Sequence, residues 1–312
     1  MCYNTNMTYE LIIIGGGPAG CSAAVYAARK KLKTLLITSE WGGQSIVSET
    51  IYNWIGTPEI SGHDLAESFK KHVEYYQGED LELKTGSYVE KVEKTAEGFK
   101  VSLSNGESFE TKTILISSGS GRRKLEVKGA DVLEHKGLTY CATCDGPLFS
   151  GQDVAVIGGG NAAFESASQL AQYCKSVTII HRGSEWRAEA VTVEKILARP
   201  NVQSIMNADT TEVYGEKFVA GMKYKDKEGN EHDLPVTGIF VEIGQIPNTG
   251  IASEVVELDD YKRIKIDYAT QKTTTPGIWA AGDCTNVLYH QNNIAAGDAV
   301  RALEDIYKYL HA

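Results

Sequence analysis

The chain opens its readable pattern with a short apolar run, Tyr9 to Ile14, rich in Ile. Gly15-Gly16-Gly17-Pro18-Ala19-Gly20 follows, and apolar positions at helical spacing continue to Lys31. Lys33 to Thr38 reads as the next strand. From Trp41 to Gly62 the chain is polar and glycine-rich, with Gly42-Gly43-Gln44 and Asn53-Trp54-Ile55-Gly56, and a connection of that length suggests a functional loop. Residues 62–77 have a helical pattern, and 81–109 alternate in the short runs of hairpin strands. A strand over 112–117 ends in Ser118-Gly119-Ser120-Gly121, where two glycines make a plausible crossover point.

The opening pattern then repeats. Asp153 to Ile157 is a strand, Gly158-Gly159-Gly160-Asn161-Ala162-Ala163 a turn, Phe164 to Tyr173 a helix, and Ser176 to Ile180 a second strand. The span from Val202 to Phe240 repeats the hairpin-rich section in shorter form. Gly238 to Asn248 mirrors the exit at Ser117 to Gly121. Gly277 to Asp283 reads as a strand ending in Ala281-Gly282-Asp283, and 292–310 as a helix. This order predicts an α/β protein in which a second domain, 122–247, is inserted into a first one formed by 1–121 and 248–312.

Composition narrows the classes. A chain of 312 residues allows about two domains with ample core. A formal charge of −10 argues against nucleic acid or an anionic membrane as partner. No apolar run approaches a membrane span, and the polar start, Met1 to Glu10, does not read as a signal peptide. Six cysteines with one close pair fit a reducing compartment better than a disulfide framework, so a cytoplasmic location is expected.

Both strand–glycine–helix–strand units carry the spacing that dinucleotide binding requires. Gly15 permits the tight turn, Gly17 lets backbone approach a pyrophosphate, and Gly20 lets helix and strand pack closely. The helix N-terminus supplies free N–H groups and the positive end of its dipole. Between the two units lies Cys141-Ala142-Thr143-Cys144-Asp145. Two cysteines three apart can cycle between dithiol and disulfide, with Asp145 an acid-base group in reach. Half of a zinc site is the alternative at this spacing. Cys2, Cys21, Cys174 and Cys284 are scattered singly and no histidine pair has ligand spacing, so no metal is expected.

These motifs, in this order over essentially the whole chain, resemble low-molecular-weight thioredoxin reductases. The segments Cys144 to Phe149, Asn207 to Val213 and Gly282 to Thr285 also resemble the flavoprotein subunit of bacterial alkyl hydroperoxide reductase. That relative carries an extra thioredoxin-like N-terminal domain, which this chain is expected to lack. The resemblance implies two Rossmann-like, three-layer ββα-type dinucleotide-binding domains, FAD in the first, a nicotinamide dinucleotide in the second, and a homodimer.

It further implies that Gly15, Gly17, Pro18, Ala19 and Gly20 face the FAD pyrophosphate, with Gly43, Gln44, Asn53 and Gly119 along the cofactor. Gly282 and Asp283 would serve the ribityl chain, and Gln291 the flavin ring. Gly158, Gly160, Asn161, Ala162 and Ala163 would hold the nicotinamide dinucleotide, with His181, Arg182 and Arg187 near its ribose. Cys144 would face the flavin, Cys141 attack the substrate disulfide, and Asp145 act as acid-base partner. The inserted domain would rotate between two poses on Gly119–Gly121 and Gly244–Gly250. Two positions depart from the family pattern: Gly183 stands where a second arginine is usual, and His290 precedes Gln291 where arginine is usual. NADPH is the expected donor and thioredoxin or a thioredoxin-like protein the expected acceptor. The alternatives are NADH or ferredoxin as donor, a dithiol oxidase, and a non-catalytic FAD-binding redox sensor.

Overall fold

The computed structural model of the chain describes residues 8–48 and 50–312; Cys2 lies outside the described residues. The chain divides into two compact units, one reaching Gly121 and resuming at Ile246–Ala312, the other Arg122–Gln245.

The first unit begins with β1 (Thr8–Gly16), α1 (Pro18–Arg29), β2 (Thr34–Trp41), α2 (Gly62–Tyr75) and β3 (Leu81–Thr85), followed by β4 (Val89–Lys94), β5 (Phe99–Leu103) and β6 (Ser108–Ile116). The sheet order is β3-β2-β1-β6-β5-β4, with β1 parallel to both β2 and β6. The apolar run of β1 is explained by burial on both faces. Leu11 and Ile13 pack among α1 residues such as Ala24 and Ala27, while Ile12 and Ile14 join Val92, Val101 and Ile264 on the opposite face. Helix α2 starts where Ser61 accepts a hydrogen bond from the Asp64 N–H at 3.0 Å.

The chain leaves through β7 (Ser120–Arg122). The second unit holds the one-turn helix α3 (Ala130–Leu133), β8 (Leu138–Thr139), the short helical turn α4 (Ala142–Asp145), β9 (Asp153–Ile157), α5 (Asn161–Leu170), β10 (Ser176–His181) and α6 (Ala190–Leu197). It continues with β11 (Val202–Met206), β12 (Asp209–Tyr214), β13 (Gly221–Lys225), β14 (Glu231–Leu234) and β15 (Gly238–Val241). The parallel sheet β11-β10-β9-β15-β8 has α5 packed on one face through Phe164, Ala167 and Leu170. The antiparallel sheet β12-β13-β14 contributes Val213 and Met222 to the core on the other face. These are the three layers of a ββα-type dinucleotide fold. Helix α5 begins at Asn161, earlier than its apolar periodicity indicates, because Gly160 forms the cap. Helix α6 is not predicted by the sequence pattern.

The return strand β16 (Gln245–Pro247) pairs with β7 as a two-stranded ribbon. Asn248 Nδ2 donates to the Ser118 carbonyl at 3.0 Å, and Ser118 Oγ to the Asn248 carbonyl at 2.7 Å. Gly119 and Gly244 hold φ of 65° and 111°, a region that favours glycine. Finally β17 (Ile278–Ala280) takes the second half of the β6 edge, whose first half carries β5, and α7 (Asn292–Leu310) packs on α1.

Candidate active site

In the first unit, Gly15 has φ 115°, and a Cβ there would lie 2.3 Å from the Ser117 carbonyl. Gly20 is closed in more tightly: its Cβ would fall 1.8 Å from the Gly15 oxygen. Gly17, by contrast, would meet only Gly43 Cα at 3.8 Å. It caps α1 without a side-chain hydrogen bond, and the first turn, which contains Pro18 and Ala19, has no acidic residue. The N-terminal N–H groups of α1 are thus left for an anion, unlike those of α2. Gly42 and Gly43, both at positive φ, lead Gln44 into a short 3-10 turn.

The loop after β2 is tied to the start of α7. Asn53 Nδ2 donates to Gln291 Oε1 at 3.1 Å, Asn293 Nδ2 to the Asn53 carbonyl at 2.8 Å, and Ser45 Oγ to Asn292 Oδ1 at 3.0 Å. Ser45, Asn292 and Asn293 carry no motif, and sequence reasoning misses them. Gly282 (φ 77°) and the half-buried Asp283 form the turn just past β17. Strand carboxyl ends are where parallel α/β sheets bind ligands. The uncapped helix and the open face of Gly17 fit a pyrophosphate.

The second unit repeats the device. Gly158 has φ 153°, and its Cβ would lie 2.3 Å from the Glu242 carbonyl. Gly160 caps α5 with no side-chain bond, no acid in the first turn and open space around a Cβ. Asn161 Oδ1 accepts from the Glu189 N–H at 3.0 Å, Ala162 is exposed, and Ala163 is buried. His181 is buried at the end of β10, its Nε2 3.0 Å from the Glu185 carbonyl and its ring stacked on Trp186 at 5.3 Å. Arg182 follows it, exposed, and the Arg187 N–H donates to the Gly159 carbonyl at 2.8 Å. Both guanidinium-bearing residues therefore flank the second fingerprint.

Cys141 and Cys144 are joined as a disulfide, with Cα atoms 5.3 Å apart. Among the described residues no set of three His, Cys, Asp or Glu is grouped to hold a metal ion. Cys141 caps α4: the Cys144 N–H donates to its Sγ at 3.1 Å. Thr139 Oγ1 accepts from the Cys141 N–H and donates to Asp145 Oδ2. Gln169, near the end of α5, accepts from Thr143 Oγ1 at 3.1 Å. The remaining described cysteines are buried, and burial pushes their thiols up, Cys21 to about 12 and Cys174 and Cys284 to about 11.

Two uncapped fingerprint helices and one disulfide beside the second invite comparison with known proteins. The profile of the pyridine nucleotide-disulphide oxidoreductase family matches residues 9–299. The chain belongs to that family. The crystal structure of thioredoxin reductase from Streptococcus pyogenes superposes with a TM-score of 0.89 at 33% identity, covering 98% of this chain and 99% of that one. Thioredoxin reductase from Giardia duodenalis gives 0.92 at 29% identity, covering 98% and 100%. A subunit of alkyl hydroperoxide reductase from Staphylococcus aureus is 41% identical over 97% of the chain. The chain spans 59% of the length of that relative. Membership implies FAD and a pyridine nucleotide as cofactors, and the fold is that of the low-molecular-weight thioredoxin reductases. No described helix is long and apolar enough to cross a membrane.

Proposed function

We propose that the chain is a homodimeric, cytoplasmic thioredoxin-disulfide reductase that takes electrons from NADPH and delivers them to thioredoxin or a thioredoxin-like protein. The observation that carries this reading is the half-buried Cys141–Cys144 disulfide in the unit that bears the second fingerprint. FAD, when bound, accepts a hydride from the nicotinamide and passes the electron pair to a disulfide.

The first unit holds FAD. The N–H groups at the start of α1 bind its pyrophosphate, and Gln44, Asn53, Gly119, Asp283 and Gln291 orient the rest. The start of α5 binds the dinucleotide, while Arg182 and Arg187 offer charge-assisted hydrogen bonds to a 2′-phosphate. Once reduced, Cys141 is the nucleophile. The N–H of Cys144 stabilises its thiolate, as expected at a helical N-terminus. That thiolate attacks one sulfur of the substrate disulfide and displaces the other. Cys144 then attacks Cys141 Sγ, which releases the substrate as a dithiol and restores the intramolecular bond. Two electrons and two protons leave with the substrate, and Asp145 moves a proton at the Cys144 thiol.

The test is NADPH-driven reduction of thioredoxin by wild type, Cys141→Ser and Cys144→Ser, beside NADPH-driven reduction of ferricyanide. Both variants are expected to lose the first activity and keep the second, because only thiol–disulfide exchange needs the pair. Thioredoxin turnover surviving in Cys144→Ser would mean that electrons bypass it.

The 41% identity to the alkyl hydroperoxide reductase component, with Gly183 in place of an arginine, favours a second reading. There the donor is NADH and the acceptor a disulfide of a peroxide-reducing system. Faster turnover with NADH and such an acceptor would select it.

A further inference from the structure

Within residues 122–245 a line of polar contacts runs from the second fingerprint helix to the acid beside the disulfide. Ser166, on the second turn of α5, donates to Glu242 Oε1 at 2.7 Å. Glu242 directly follows β15. Arg122 Nη1 stands 4.0 Å from Glu242 Oε2 and donates to the Tyr140 carbonyl. The N–H of that same peptide, on Cys141, donates to Thr139 Oγ1 at 3.3 Å. Thr139 in turn gives its one hydroxyl proton to Asp145 Oδ2. Because the Thr139 oxygen already accepts from Cys141, its proton is directed at the carboxylate. Thr139 is buried, so water does not compete for the bond. Burial pushes the Glu242 carboxyl up, against the opposing pull of Ser166 and Arg122.

We propose that Thr139 is a positioning residue for Asp145 and sets its proton affinity during thiol–disulfide exchange, with the Arg122–Glu242 pair anchoring the peptide behind it. The proposal rests on the reading of Asp145 as the acid-base group. A hydroxyl that donates to a carboxyl favours the charged form. Without it, Asp145 keeps its proton to higher pH. The titratable groups near it include Cys141 and Cys144 on its own turn and Tyr173 past the end of α5, against whose hydroxyl the neighbouring Gly146 packs. Arg122 from β7 and Glu242 after β15 act through the Tyr140 peptide, as described. Polarisation along successive hydrogen bonds gives the guanidinium a smaller effect than the hydroxyl itself.

Two measurements on the full chain test this: the pH profile of thioredoxin reduction, and the pH dependence of iodoacetamide alkylation of the reduced pair, which senses the charge on Asp145. Thr139→Val is expected to move the acid limb of both up by about one unit, a tenfold change in proton affinity. Thr139→Ser should restore it, Arg122→Met should shift it in the same direction by less, and Asp145→Asn should remove it. A Thr139→Val profile that superimposes on wild type, while Asp145→Asn loses the limb, overturns the proposal and leaves the Asp145 reading standing. A limb that persists in Asp145→Asn overturns the reading itself. If Thr139→Val does not fold, alkylation of Arg122→Met decides, and an unshifted curve there overturns the proposal.

Discussion

Gly183, one of the two departures from the family pattern, lies against His181. A Cβ on Gly159 would fall 2.4 Å from His181 Nδ1, and one on Gly183 2.6 Å from His181 Nε2. The imidazole thus sits between two glycines and is stacked on Trp186, and a side chain at 183 requires its Nε2 end to shift. Gly183→Arg is therefore expected to cost roughly 1–3 kcal/mol, read as a lower melting temperature, and not to improve NADPH use cleanly. Arg182→Ala and Arg187→Ala are the cleaner probes. Each should raise the KM for NADPH about tenfold, the value of one charge-assisted contact, and leave that for NADH nearly unchanged. Equal rises for both coenzymes would take these arginines off the 2′-phosphate. The cysteines separate in the same way. With thiols pushed to about 11 or 12, Cys21, Cys174 and Cys284 are almost wholly protonated at pH 8. Alkylation of the reduced native protein at that pH, followed by peptide mapping, should label Cys141 and Cys144 and spare those three until denaturant is added.

At the scale of the element, the two fingerprint helices differ from α2 in one respect: glycine caps them, and no side chain or acid occupies their first N–H groups. The glycines within a fingerprint have separable duties. Gly20→Ala would drive a Cβ to 1.8 Å from the Gly15 carbonyl, so helix and strand must part. We expect a loss of about 3 kcal/mol in the stability of the flavin-free protein. Gly17→Ala meets only Gly43, at ordinary contact distance, and leaves room to fold. It should leave flavin-free stability within about 0.5 kcal/mol and weaken FAD binding, since the methyl group occupies the approach to the helix N-terminus. Denaturant unfolding and FAD titration on both variants measure the two effects, and parallel losses would show that Gly17 is only structural.

For the whole molecule, the second unit is one continuous insert whose entry and exit strands, β7 and β16, pair with each other. Gly119 and Gly244, which flank that ribbon, hold φ values in the region that favours glycine. The proposed homodimer has a direct test. Sedimentation equilibrium at micromolar concentration should return twice the mass of the chain, and a monomer at every concentration would remove that part of the proposal.

Local rules make much of this protein legible in its sequence. The two strand–glycine–helix units, the redox pair and helix 292–310 each depend on residues within a few turns of one another, where periodicity and backbone sterics suffice. Apolar spacing places the start of α5 too late, because the helix begins on its uncapped glycine turn. Helix α6 escapes the pattern: it is only eight residues long, and Val191, Thr192 and Val193 in its first turn are β-branched types that favour strands. What the tertiary structure alone decided is convergence. Asn53 meets Gln291 across 238 positions, and Ser166 meets Glu242 across 76. Those contacts follow from strand order and from which carboxyl ends share a crevice, and a local pattern cannot encode them because it fixes faces and turns, not which distant segments become neighbours.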